Sequence, residues 1–381
     1  MNWIQVCFEQ NHMATTFRFV VSCVSTQRAL AERVLESAHR LVSALEAELT
    51  EFQSTSPIFR LNQAAVGEAV ILPAHALGLL ARSEQLREAT EGAFDCTAKS
   101  VTPLAPGARV GFDLGARTAW RNDTGVRVGF GAIGKGYALD EVRRLLEAEG
   151  FTNYLLTAGG SSILFSGYAA PRQAWEWGWS WMKDAQGEDL GLPFSHETGQ
   201  SVALGISGLH EKGEHLLDPV QGGRATRARS ALVSHASAAD ADALSTALFV
   251  AGWDRAMGFL QKLNATVGTA LIDEAETPRW NGIFQALWGA PVANFSVKLA
   301  LAIAAMGGIM GGILSTAGSA YAEEGIDLSA LDGAAEEIFN PYDYERNRWW
   351  LLLPVFAFLL VCLHLKKFRM YSNRRRKSEA P

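Results

Sequence analysis

FGAIGKGYALD, Phe130–Asp140, sets Gly131, Gly134 and Gly136 closely behind Gly129. Glycines so crowded let the backbone approach a ligand closely or turn through positive φ. Lys135 stands between two of them, and a helical pattern follows at once. A glycine-rich turn with one cation, leading into a helix N-terminus, suits a phosphate group. It is neither a Walker A loop, which needs a longer glycine spacing and Ser/Thr after the lysine, nor GxGxxG after a strand. Taken alone, the turn reads equally as a nucleotide site or as a structural turn with a solvated lysine.

The flanking chain alternates helices and short strands. Thr15–Cys23 alternates apolar and polar residues as a strand does. From Thr26 to about Phe52, Leu30, Val34, Ala38, Leu41, Leu45 and Leu49 keep helical spacing. Pro57 and Leu61-Asn62 are read as an irregular loop, and Pro73 opens a second helix running to about Thr90. Gly92-Ala93-Phe94-Asp95 makes a turn, and Ser100–Gly125 is turn-rich and weakly patterned. Tyr137–Glu149 is an amphipathic helix that Gly150 stops. Strands are expected at Tyr154–Thr157, Ile163–Phe165, the Trp175/Trp177/Trp179/Trp181 run, Ser201–Ser207, Ala231–His235 and Val267–Ile272. The alternating tryptophans line one sheet face, as core or a covered edge. Asp240–Ala251 and Trp253–Leu263 are helices. The fold class is α+β.

The 381 residues carry a net charge of -6, which argues against a nucleic-acid partner. The 4 cysteines show no CxxC or metal-ligand spacing and form no disulfide framework, so a reduced setting is expected. The C-terminal quarter differs from the rest. Leu299–Ala322 is uncharged and apolar and long enough to cross a bilayer; Trp349–Leu365 is a second apolar run, followed by the basic tail KKFRMYSNRRRK. The expected organisation is a domain over 1–290 and a membrane region over 291–381, with helices 299–322 and 349–365 as a transmembrane hairpin. The basic tail and the N-terminal domain would lie on the cytoplasmic side of a bacterial inner membrane. Lys298, the apolar run and Ala320-Tyr321-Ala322 also read as a signal-like segment with a cleavage site.

ADADALSTA, Ala239–Ala247, places Asp242 and Thr246 four apart on one helical face. A carboxylate and a hydroxyl so placed are hard oxygen ligands of the kind Mg2+ accepts. The other reading makes Asp240 or Asp242 the N-terminal cap of that helix. His215, ahead of Asp218-Pro219, is a candidate general base or phosphate contact.

In order along the chain stand HMAT from His12, EFQ from Glu51, SPIFRLN from Ser56, GAFD from Gly92, FGAIGKGYALD, Ala158-Gly159-Gly160, Ser207-Gly208, HLLDP from His215 and DALST from Asp242. This ordered set resembles the FAD:protein FMN transferase (ApbE) family over roughly residues 10–275. The resemblance implies an ApbE-like, T-fold-related domain. It implies a Mg2+-dependent enzyme that takes FAD as substrate, moves FMN to a Thr or Ser hydroxyl of an acceptor protein and releases AMP. It also implies roles. Asp242, Thr246 and the carbonyl of Ala132 would hold the metal. Lys135 would lie against the flavin nucleotide with Met13, Phe52, Ala93, Phe94 and Asp95, and His215 would activate the acceptor hydroxyl. The acceptor is expected to carry a flavinylation motif and to be membrane-bound. Ser/Thr-Gly-Ala-Thr does not occur in this chain, so self-modification is not expected. Three positions depart from the family pattern: Gly129 stands where an aspartate is usual, Ser161 where Gly-Gly-Asp is common, and Leu209 where an acid or amide follows Ser-Gly. The lost acids at Gly129 and Ser161 favour an alternative, a membrane-anchored FAD-binding or assembly protein that keeps the fold without the transfer; intact Asp242, Thr246 and His215 disfavour it.

Overall fold

The computed structural model describes residues 2–100, 107–171, 173–183, 189–196, 201–208, 217–219, 222–263, 267–275 and 278–281. Contacts divide the chain into Met1–Ala290 and Pro291–Pro381. The second unit, with the expected hairpin 299–322 and 349–365, lies outside the described residues, as does the cleavage site read at Ala322. Among the described residues no helix is long and apolar enough to cross a membrane.

The strands of the main sheet are β1 (Trp3–His12), β2 (Thr15–Val24), β6 (Tyr154–Ala158), β7 (Ser162–Ser166), β10 (Val202–Gly208), β11 (Ala228–His235), β12 (Gly268–Asp273) and β13 (Pro278–Trp280). They lie in that spatial order, and each neighbouring pair is antiparallel. A small sheet joins β3 (Val70–Ile71), β5 (Thr118–Arg121) and β4 (Val110–Asp113); β8 (Trp175–Lys183) and β9 (Asp189–His196) form a hairpin. The helices are α1 (Arg28–Leu49), α2 (Pro57–Gln63), α3 (Ala74–Ala89), α4 (Gly134–Ala148), α5 (Ala238–Ala251) and α6 (Trp253–Leu260).

Period-two burial makes the main sheet two-sided. Phe17, Phe19, Val21, Leu164, Ala203, Ala231 and Val233 face one core with α1, α4 and α5. The intervening Val20, Ile163, Phe165, Leu204 and Leu232 face a second, smaller cluster that includes Trp175. Trp175 is buried and donates its indole N–H to the Ser166 carbonyl at 2.8 Å. The side chains from Trp177 onward in that run lie outside those described.

The expected helix–strand alternation is present, and it is incomplete in instructive places. The segment read as a loop at Pro57–Asn62 is helix α2. Ser56 caps it by accepting from the Ile58 N–H at 3.2 Å, with Pro57 in the first turn, where a missing N–H costs nothing. Within the weakly patterned Ser100–Gly125 region, β4 and β5 form a hairpin. Helix α4 begins at Gly134, three residues before the first residue of the amphipathic pattern, so Lys135 lies inside it.

Candidate active site

Helix α5 is the hub. Every residue of it is buried except Thr246. A helix this apolar all round belongs inside, and its Ala-rich sequence lets neighbours come close. Two glycines set the approach. A Cβ at Gly136 of α4 would overlap the Ala238 carbonyl, and one at Gly205 of β10 would overlap the Ala241 carbonyl. So α5 is gripped between α4 and β10 at backbone contact distance.

This close contact assigns the acids. Ser237 is the N-cap of α5 and accepts from the Asp240 N–H at 3.2 Å. Asp140, the last residue of FGAIGKGYALD, reaches across from α4. It accepts from the Ala238 and Ala239 N–H groups at 3.0 Å each and from the Ser237 hydroxyl at 2.7 Å. A carboxylate on orphan N–H groups at a helix N-terminus is favoured by both hydrogen bonding and the dipole. Asp240 instead takes a two-pronged ion pair from Arg82 of α3, at 2.9 and 2.6 Å. The cap read from the sequence as Asp240 or Asp242 is therefore Ser237 with Asp140.

Asp242 is left for other work. Its Oδ2 accepts from the Gly136 N–H and from the Ser162 hydroxyl, both at 2.8 Å. Its Oδ1 has no hydrogen-bond partner among the described residues. Burial pushes the carboxyl up to about 6, against the pull of the Lys135 charge and of the Ser162 and Gly136 bonds, while Asp140 adds a smaller upward push. One turn on, the Ser245 and Thr246 hydroxyls lie 2.9 and 3.2 Å from the Asp242 carbonyl and donate to it. Ser207 of β10 lies 2.9 Å from Ser245 Oγ and 3.1 Å from Thr246 Oγ1. With both helix protons on the Asp242 carbonyl, Ser207 is the donor, and Thr246 keeps lone-pair capacity on the one side of α5 that is not buried.

The donor set suits a hard dication: one buried carboxylate oxygen and, one turn on, a hydroxyl at the one residue of α5 that is not buried, in a site where the buried negative charge lacks full compensation. Among the described residues, no group of three or more His, Cys, Asp or Glu gathers for a metal. An ion here would rest on a single carboxylate plus neutral oxygens, which is how Mg2+ is held when substrate phosphates complete its shell.

The other expected residues fall in separate places. Ala132 is half-buried in the turn before α4, and Lys135 is half-buried in the first turn of α4. Met13 sits at the β1–β2 hairpin with φ 49°, its N–H on Glu46 Oε1 at 2.8 Å. Behind it, buried His12 and His39 pair ring to ring at 3.1 Å. Phe52 follows α1 and is 78% exposed. Ala93 and Phe94 point into the core, so only their backbone is free to meet a ligand. Asp95 Oδ1 accepts from the Thr97 N–H and hydroxyl, both at 2.7 Å. His215 lies outside the described residues; Asp218, which follows it, is buried. Asp242, Thr246 and the Lys135 charge are brought together.

Sequence reasoning gave no role to Ser162, Ser207 or Asp140, and it took Glu51 for a solvated position of the first helix, where the structure has its side chain largely covered. Ser207, Asp140 and Glu51 lie inside motifs already quoted, and the signal for Asp140 was its place within the glycine-rich stretch.

A model of the ApbE family matches residues 13–270. The chain belongs to the ApbE family. An FAD:protein FMN transferase of Treponema pallidum is 26% identical over 287 residues, covering 63% of this chain and 77% of that protein. One from Haemophilus influenzae is 24% identical over 301 residues, covering 67% and 83%. The flavin transferase ApbE of Vibrio cholerae superposes with a TM-score of 0.63 at 19% identity, over 75% of this chain and all (100%) of that one. The apo flavinyl transferase ApbE of Pseudomonas stutzeri gives 0.65 at 21%, over 76% and 98%. These superpositions bear out the mixed helix-and-sheet fold that the ordered motifs implied. In this ApbE chain the absent side chain at Gly129 leaves room that another acid fills: a Cβ there would stand 2.9 Å from Glu51 Oε1.

Proposed function

We propose that this ApbE chain is a Mg2+-dependent FAD:protein FMN transferase. It takes the FMN half of FAD, joins it to a Ser or Thr hydroxyl of an acceptor protein and releases AMP. The observation that carries the reading is buried Asp242, whose Oδ1 has no hydrogen-bond partner among the described residues, one turn before Thr246, the one residue of its helix that is not buried, beside Lys135 and the glycine-rich turn.

In this reading Asp242, Thr246 and the Ala132 carbonyl hold the metal, and Lys135 lies against the nucleotide phosphates. Bound Mg2+ would supply a Lewis acid that neutralises charge on the pyrophosphate oxygens. The acceptor hydroxyl oxygen bonds to the FMN phosphorus as the bond to the AMP oxygen breaks. His215 takes the hydroxyl proton, without which Ser and Thr are poor nucleophiles. Ser162 and the Gly136 N–H fix one Asp242 oxygen, so the other points in a set direction. Ser207 does the same for Thr246.

The apolar runs 299–322 and 349–365 would tether the domain at the cytoplasmic face of the membrane and raise its local concentration near a membrane-bound acceptor. A second reading, FAD binding without transfer, is favoured by Ser161, which leaves no acid after Gly159-Gly160.

Incubating the full chain with FAD, Mg2+ and an acceptor bearing a target threonine, followed by mass spectrometry, decides between them. A covalent FMN adduct that requires Mg2+ and falls at least about 100-fold in Asp242→Ala supports transfer, since loss of a metal ligand removes charge stabilisation worth that much or more. Bound FAD with no adduct on several acceptors selects the second reading. Absence of FAD binding overturns both.

A further inference from the structure

The glycine-rich stretch meets an acid at Gly129 as well as at Gly136. Glu51, just past the end of α1, places its carboxylate where the side chain of residue 129 would project: a Cβ on Gly129 would stand 2.9, 3.0 and 3.1 Å from Oε1, Oε2 and Cδ. The same carboxylate takes an ion pair from Lys99 Nζ at 2.6 Å. Lys99 Nζ in turn lies 5.6 Å from the centroid of the Phe52 ring, within cation–π range. The Gly129 N–H is tied to the Cys96 carbonyl at 2.9 Å, which fixes the turn against the segment that carries Asp95 and Lys99. Glu51 is thus largely covered, while Lys99 and Phe52 are open to solvent.

Phe52 lies largely open to solvent, so its ring is available for stacking on a flat partner. Lys99, itself held by Glu51, stands over the ring, and most of the ring's surface stays exposed. We infer that Glu51 is a positioning residue of the nucleotide site. It fills the side-chain slot that Gly129 leaves empty and holds Lys99 on one face of Phe52. The other face, and the backbone of the turn, are left to the flavin nucleotide. This rests on the reading of the site as one for FAD. Glu51 touches no reacting atom; it acts through Lys99 and the turn.

The geometry makes a reciprocal prediction. An aspartate in place of Gly129 would direct its carboxylate into the space that Glu51 holds, so the two acids exclude each other by volume and by like charge. Either alone can serve Lys99. The experiment titrates the full chain with FAD, following quenching of flavin fluorescence, for wild type, Glu51→Ala, Gly129→Asp and the double variant, with a thermal melt of each. Glu51→Ala is expected to weaken FAD binding about tenfold, the scale of one charge-assisted contact. Gly129→Asp is expected to bind more weakly still. The double variant is expected to return to within about threefold of wild type, because one acid again occupies the slot. A double variant no better than Gly129→Asp, or wild-type affinity in Glu51→Ala, overturns the inference. A Glu51→Ala loss that merely tracks a collapsed melt, and that adding Gly129→Asp does not rescue, overturns it as well. If wild type itself fails to bind FAD, the reading of the site fails first, and that outcome is separate.

Discussion

Two acids reach the glycine-rich stretch, one at Gly136 and one at Gly129, and the contrast between them is informative. At the inner end, Asp242 meets the Gly136 N–H in a fully covered site where α4 and α5 touch backbone to backbone. At the outer end, Glu51 fills the space beside Gly129 and pairs with a half-exposed lysine. The device is one: a missing Cβ admits a carboxylate from another element. The energetics are opposite. Inside, desolvation lifts the acid to about 6, and each hydrogen bond holds two elements in register. Outside, water screens the pair, so its influence on stability is small and must be sought in ligand binding.

The inner end breaks most visibly at Gly136. Any side chain there runs into the Ala238 carbonyl, and backbone cannot give way as a flexible side chain can. Gly136→Ala is expected to cost about 3 kcal/mol or more by overpacking, lowering Tm by roughly 10 °C. A melt within about 2 °C of wild type would show that α4 and α5 are not gripped as described.

Asp242 sharpens the comparison through pH. Its folded value of about 6 lies above its ordinary 3.8, so the native state holds a proton that the unfolded chain has released. Stability from this group is therefore fully present below the ordinary value. It falls as pH rises towards about 6 and stays lost above, by roughly 3 kcal/mol. Asp242→Asn keeps an oxygen for the Gly136 and Ser162 donors without the charge. It is expected to melt several degrees above wild type at pH 8, to lose that advantage near pH 4, and to be inactive in transfer. Buried His12 and His39 push the other way. Desolvation lowers both, so their contribution is held above about 6.5 and lost as pH falls. Comparing the variant with wild type at each pH cancels the histidine effect. Equal melts of the two proteins at pH 8 would mean that Asp242 carries no desolvation penalty.

How far the sequence carried this picture depends on which forces were local. Helices α1, α4 and α5 were readable because apolar spacing and glycine punctuation are written along the chain. Strand β1 was not, because it is the outer strand of the sheet and buries little beyond Val6 and His12, so no alternation marks it. Helix α2 was hidden by its brevity, although Ser56-Pro57 is a start signal. In the candidate site the four-residue spacing of Asp242 and Thr246 was legible as one helical face. What meets Asp242 was not. Ser162 is 80 residues away in sequence and Gly136 is 106, and only the packing of α5 on α4 and the sheet joins them. The two cap candidates were equivalent on paper; Arg82 and Asp140, from other helices, assigned their roles.

The outer end yields the smallest effect, and its smallness is the test. Lys99 pairs with Glu51 at 2.6 Å, yet the lysine is 52% exposed. An ion pair in that setting is worth at most about 1 kcal/mol, because solvent screens the attraction and ordering the long lysine chain costs entropy. Lys99→Met keeps the aliphatic stem that can lie along Phe52 and removes only the charge. Its melt is expected to stay within about 2 °C of wild type, and the difference to shrink further in about 1 M salt. A drop as large as that of Gly136→Ala would mean that the outer ion pair holds the fold as the inner contact between α4 and α5 does. The glycine-rich stretch would then be clamped at both ends, and the division between an end whose packing holds the fold and an end whose ion pair acts only on ligand binding would have to be abandoned.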